Sequence, residues 1–224
     1  MLSANTPPFK TPLSPPDQTL IAQAVETRLS PGLVLKALTP LAGDASNRRY
    51  YRATVSGGPP HAVIVMQLAE PEGFKQSEEA VSGGIHQISE LPFINIMSHL
   101  AKAKVPVPVL HYYDQSSGLL YLEDFGDVTL AEAVNQADAP SVESRYKQAI
   151  NILVQMQVNA TTPADPGCLA FHRSFDVPLL MWEFDHFLEY GIVARRGNPL
   201  PEEDATTIRR EFEGIAELLA GQPR

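Results

Sequence analysis

Cysteine is nearly absent from this chain: Cys168 is the only one in 224 residues. An internal disulfide is therefore excluded, and a reducing, cytoplasmic setting is the simple expectation. Long apolar runs are also missing, and none approaches the roughly 18 residues that a membrane-spanning helix needs. Basic residues are scarce: 17 Lys and Arg against 26 Asp and Glu leave a formal charge of -9. That balance argues against nucleic acid or an anionic membrane as partner. No Gly-x-Ser-x-Gly elbow is present, which weighs against an α/β-hydrolase. The six histidines show no metal-ligand spacing and no His-Glu-x-x-His, so His172 and His186 read as structural.

What is present is punctuated by proline, 20 residues of it. Residues 1–16 are rich in Pro, Ser and Thr without an apolar core, so they predict a disordered leader rather than a secretory signal. Residues 17–30 predict a helix with Ile21, Ala24, Val25 and Leu29 on one side, stopped by Pro31-Gly32. The period then changes to that of strands, over Leu33 to Leu38, Arg48 to Val55 and His61 to Leu68, with Gly57-Gly58-Pro59-Pro60 as a hairpin connection. Residues 69–88 predict a mobile loop. A helix over Leu91 to Ala103 would show Phe93, Ile96, Met97, Leu100 and Ala101 on one face. Two more strands are expected over Val109 to Asp114 and Leu119 to Asp124.

After Asp127 the pattern is helical. Thr129 is expected to cap a short helix and Ser141 a long one with Val142, Tyr146, Ala149, Ile150 and Leu153 inward. Two further helices are expected, over Asp176 to Tyr190 and Pro201 to Ala220, the last with Ile208, Phe212, Ile215 and Leu219 on one face. The layout is α+β: a five-stranded antiparallel sheet with an inserted helix, then a helical portion. The divisions expected are 1–16, 17–124 and 125–224.

Three stretches carry candidate chemistry. The first is Leu41-Ala42-Gly43-Asp44-Ala45-Ser46-Asn47-Arg48-Arg49-Tyr50-Tyr51-Arg52. Gly43 permits close backbone approach, Ala45 and Ser46 keep the loop slim, and Arg48, Arg49 and Arg52 form a local positive cluster. Such a loop can lay N–H groups and guanidinium forks along a polyphosphate; it can equally be a hairpin turn with solvated arginines. The second is Leu122-Glu123-Asp124-Phe125-Gly126-Asp127, whose extended backbone can meet an adenine edge or can be an acidic linker. The third surrounds Trp182-Glu183-Phe184-Asp185. Its aromatics read as helix core, while Glu183 and Asp185 can accept sugar hydroxyls and Trp182 can stack on a sugar face.

These residues resemble a known family. Gly43-Asp44-Ala45-Ser46-x-Arg48-Arg49-Tyr50-x-Arg52 is similar to the loop of the anomeric sugar kinases acting on N-acetylmuramate and N-acetylglucosamine. These belong to the aminoglycoside phosphotransferase superfamily, with a protein-kinase-like two-lobe fold. Leu122 to Asp127 resembles that family's hinge, and Pro92-Phe93 and Val105-Pro106-Val107-Pro108 follow its order. The resemblance implies phosphoryl transfer from ATP with Mg²⁺ to a sugar or amino-sugar hydroxyl. It implies nucleotide contacts from Gly43, Asp44, Ala45, Ser46, Asn47, Arg48 and Arg49 and from the backbone of Glu123, Asp124 and Phe125. It implies acceptor contacts from Trp182, Glu183 and Asp185.

Two departures accompany it. The strand His61 to Leu68 has no lysine of the kind many kinases pair with the phosphates. The family's His-x-Asp catalytic loop, with its proton acceptor and Mg²⁺ ligands, is expected beyond Arg224, so the chain by itself is expected to be an incomplete, inactive fragment. Asp124-Phe125-Gly126 is not the metal-binding tripeptide of protein kinases, because it follows the fifth strand rather than a catalytic loop. Two other readings stay open: a non-catalytic nucleotide- or sugar-binding module, and a kinase for an acceptor such as an aminoglycoside or choline.

Overall fold

The computed structural model describes residues 14–42, 48–68, 90–172 and 174–222. The Gly43 to Asn47 loop, the 69–88 segment and the leader up to residue 13 lie outside the described residues. The described chain is α+β and divides into two compact units. One holds the sheet, residues up to 73 with 108–129; the other holds 74–107 with 130–224.

The first unit begins with α1, Gln18–Ala24, whose N-cap Asp17 accepts the Thr19 N–H at 2.8 Å. It continues as a π-helical turn over Val25–Leu29. Five strands follow: β1 Val34–Pro40, β2 Arg49–Ser56, β3 Ala62–Gln67, β4 Leu110–Asp114 and β5 Leu119–Glu123. Every pairing is antiparallel and the spatial order is β1-β2-β3-β5-β4. The expected strands are thus all present, shifted by a residue or two at their ends.

Side chains alternate across a strand, and the sheet uses both faces. One carries Tyr51, Ala53 and Val55 of β2, Val63 and Val65 of β3, and Leu119 and Tyr121 of β5. These bury against Ile21, Ala24 and Val25, with Leu29 packed alongside, which is the helix face the sequence predicts. The other face carries Arg52, Ile64 and Leu122 side by side, because Arg52 pairs with Ile64 and Ile64 with Leu122.

The second unit is helical: α2 Pro92–Lys102, α3 Leu130–Asn135, α4 Ala139–Asn159, α5 Val177–His186 and α6 Glu202–Ala220. A π-helical stretch, Phe187–Val193, extends α5 beyond the expected end at Tyr190. Here the structure corrects several expectations. Asp138, not Ser141, caps α4, accepting the Ser141 N–H at 3.1 Å. No residue of α4 is buried, and Tyr146, Ile150 and Leu153 of its apolar stripe are exposed. On α2 only Pro92 is buried, and Ile96 is exposed. Polar anchors hold α2 instead: Asn95 bonds the Gly167 carbonyl and the Leu169 N–H, and His99 Nε2 lies 2.7 Å from the Ala160 carbonyl. On α6, Phe212 stacks on Phe184 of α5 at 4.3 Å and Ala216 is buried, while Ile215 and Leu219 are exposed. Periodicity reports which side of a helix is apolar; it is silent on what packs there.

The turn glycine after β2 is a point of close approach. Gly57 has φ +106°, and a Cβ there would run into the carbonyl oxygen of Gly32. Both the backbone conformation and the contact select glycine. Gly57→Ala is expected to lower unfolding free energy by about 2–4 kcal/mol. Urea melts of the two proteins check this, and an unchanged midpoint would refute it.

Candidate functional site

The sheet unit contains a cleft of about 430 Å³. Its floor is the second face of the sheet, Ile64 and Leu122. Its sides are Leu41 and Ala42 just past β1, Pro108, and the connector Glu123 to Asp127 that leaves β5. Arg52 of β2 also lines it. The lining is therefore apolar below and acidic along the connector.

Arg52 organises the polar side. Its Nε lies 2.6 Å from Asp124 Oδ2 and its Nη2 lies 3.0 Å from Asp124 Oδ1, a bidentate fork. Its Nη1 reaches Asp127 at 2.8 Å. Asp124 Oδ1 also accepts the Gly126 N–H at 2.9 Å, closing a turn in which Gly126 has φ +79°. The Asp124 side chain is only 10% exposed, whereas that of Asp127 is 78% exposed. The guanidinium of Arg52, and then the Gly126 N–H, hold the Asp124 carboxyl below its ordinary range, and the two carboxylates hold Arg52 yet more firmly protonated.

Glu123 is engaged twice with one residue. Its N–H donates to the Val109 carbonyl at 2.8 Å, and its Oε2 accepts the Val109 N–H at 3.1 Å. One donor of the connector is thus already taken. Phe125 is exposed and lines the cleft.

The proposed phosphate residues Gly43, Asp44, Ala45, Ser46 and Asn47 lie outside the described residues. Arg49 opens β2 opposite Gln67, and neither it nor the half-buried Arg48 is among the described residues lining the cleft. The acceptor candidates Trp182, Glu183 and Asp185 share α5 of the second unit. Trp182 meets the His186 ring edge-on at 3.9 Å and is 41% exposed. Glu183 is exposed, and Asp185 forms an ion pair with Arg209 of α6.

The structure adds Ile64 and Pro108 to the cleft, places Leu41, Ala42 and Leu122 of the two candidate stretches in its lining, and makes Asp127 a side-chain partner of Arg52. Strand alternation gives the parity of Arg52, Ile64 and Leu122 within each strand. The register that aligns them is a tertiary fact. Arg52, grouped by sequence with a positive cluster, has its charge turned toward two carboxylates instead.

A divalent metal does not fit the cleft as built. Asp124 and Asp127 both face Arg52, and among the described residues no group of three or more His, Cys, Asp or Glu could hold a metal ion. Among the same residues, no helix is long and apolar enough to cross a membrane.

Residues 37–222 match the model of the phosphotransferase enzyme family. The chain belongs to that family, and its antiparallel sheet with helices is the protein-kinase-like α+β fold. It is 27% identical over 84% of its length to an N-acetylmuramate/N-acetylglucosamine kinase of Pseudomonas putida, covering 47% of that protein. Kinases of the same name from Neisseria meningitidis and Pseudomonas aeruginosa are each 24% identical over 84% of this chain, which covers 48% and 47% of them. The chain thus spans about half the length of the curated relatives it matches.

The Arg52–Asp124 pair has a pH signature. A carboxyl depressed in the folded state stabilises the fold above its unfolded value, here 3.8, and loses that contribution as pH falls through the folded value. Asp124→Asn is therefore expected to be less stable than the parent at neutral pH, with the gap narrowing as the pH falls to 3.8 and below it through the folded value. Urea midpoints across that range test it, and a gap independent of pH would contradict it.

Proposed function

We propose that the chain supplies the nucleotide-holding sheet and part of the acceptor side of an ATP-dependent phosphotransferase whose acceptor is a sugar or amino-sugar hydroxyl. The observation that carries the reading is the cleft on the second face of the sheet. Its apolar floor, Ile64 and Leu122, suits a planar base, and the connector from Glu123 to Phe125 offers backbone groups to the base's edge. The family supports phosphoryl transfer, and the names of the relatives favour an amino sugar over an aminoglycoside or choline.

In this reading the chain's work is positioning. The base sits against Ile64, Leu122, Leu41 and Ala42. Gly43, Asp44, Ala45, Ser46 and Asn47 contact the triphosphate, with Arg48 and Arg49 supplying positive charge. Phosphoryl transfer of this class rests on positioning and charge neutralisation. Trp182 stacks on the acceptor and Glu183 accepts its hydroxyls. Asp185, ion-paired with Arg209 through one oxygen, also accepts hydroxyls of the acceptor. Mg²⁺ bound with the nucleotide would neutralise the phosphates; Asp124 and Asp127, turned to Arg52, would not hold it.

Calorimetric titration of the chain with ATP, GTP and ADP tests the nucleotide claim. A dissociation constant for ATP within about 1 µM to 1 mM, the span of ordinary enzyme substrates, is expected. Absence of binding at several times the upper limit would defeat it. Titration with N-acetylglucosamine, N-acetylmuramate, choline and kanamycin tests the acceptor. Trp182→Ala and Glu183→Gln are each expected to weaken amino-sugar binding by about tenfold while leaving ATP affinity unchanged. Sugar binding that ignores both substitutions would remove α5 from the acceptor site.

A further inference from the structure

The sequence groups Arg48, Arg49 and Arg52 in one positive cluster, of which the family resemblance assigns Arg48 and Arg49 to the nucleotide. The structure separates Arg52 from the other two. It lies on the cleft face of β2, in register with Ile64. Its guanidinium is already saturated on one side by both oxygens of a nearly buried Asp124 and reaches Asp127 on the other. A phosphate competing for it would have to break a bidentate pair and leave the Asp124 carboxylate uncompensated beside the incoming negative charge. Among the described lining residues, three carboxylates, Glu123, Asp124 and Asp127, stand against one guanidinium, a formal charge of -2. That sign repels a polyphosphate and is compatible with a neutral nucleoside bearing amine and hydroxyl donors.

The second product of the pair is a shaped backbone. The carboxylate that holds Arg52 also accepts the Gly126 N–H at 2.9 Å, so the guanidinium, the Asp124 side chain and the turn at Gly126 form one unit. Arg52 thereby ties the connector to the middle of the sheet, across 72 residues of sequence.

We infer that Arg52 is a positioning residue: acting through Asp124, it presets the connector turn that receives the nucleoside end of the nucleotide, and it does not bind phosphate. This rests on the nucleotide reading of the cleft and assigns one residue's part in it. Lysine cannot replace it, because an ammonium lacks the planar fork that meets both carboxylate oxygens.

The test compares adenosine with ATP, both without added metal, on the full chain by calorimetry. Arg52→Gln, Arg52→Lys and Asp124→Asn are expected to weaken adenosine and ATP by the same factor, about tenfold, as expected when charge-assisted bonds that shape a site are lost. The ratio of the two affinities then stays at the parent value. In the same variants the Gly126 amide resonance is expected to shift and its hydrogen exchange to quicken, a local signature that general loosening of the sheet does not give. Val25→Ala, a core variant remote from the cleft, is the control: it lowers the melting temperature and leaves adenosine affinity unchanged. If ATP alone weakens, or if Arg52→Lys retains full ATP affinity, Arg52 is a phosphate ligand and the inference is overturned. Unchanged affinity for both ligands overturns it too. If Arg52→Gln does not fold, Arg52→Lys and Asp124→Asn decide between the same outcomes. If the parent chain binds neither ligand, the nucleotide reading itself has failed, and that result is distinct from the others.

Discussion

The register of the five-stranded sheet is the constraint on which the rest of the sheet unit depends. Arg52 faces Ile64, and Ile64 faces Leu122. Because side chains alternate, this alignment sends Ala53, Val63 and Tyr121 to the opposite face, where they meet Ile21 and Val25. A slip of one residue in β3 would put Val63 and Val65 on the cleft and Ile64 in the core. Core and site are thus two sides of one pairing decision, and burial of the core side locks the site side in place.

The connector after β5 shows how paired charges shape a backbone turn. Isolated, the sequence Glu123 to Asp127 is an acidic linker. Folded, one carboxylate is drawn under Arg52 and also caps the Gly126 N–H, while Glu123 braces Val109 through backbone and side chain together. The acidic residues there are partners of specific donors, which is why the cleft's charge differs from a simple count of nearby arginines.

The helical unit follows another logic. Asn95 and His99 of α2 reach the 160–169 segment through hydrogen bonds to backbone groups. Phe184 and Phe212 join α5 to α6 by ring stacking. Around these anchors much apolar surface stays exposed, including Tyr146, Ile150 and Leu153 of α4.

Strand positions, the buried face of α1 and the α+β layout were legible in the sequence because they rest on local periodicity and on Pro and Gly punctuation. The family was legible in the Gly43 to Arg52 and Leu122 to Asp127 motifs, and the match over residues 37–222 agrees with it. Helix caps and packing faces were less so: Ser141 and Asp138 both suit an N-cap, and the stripe on α4 does not reveal whether a partner lies against it. The partnership of Arg52 with Asp124 and Asp127 was decided by tertiary structure alone. Those residues stand 72 and 75 positions apart, and only the order β1-β2-β3-β5-β4 brings the arginine of β2 within reach of the turn that follows β5.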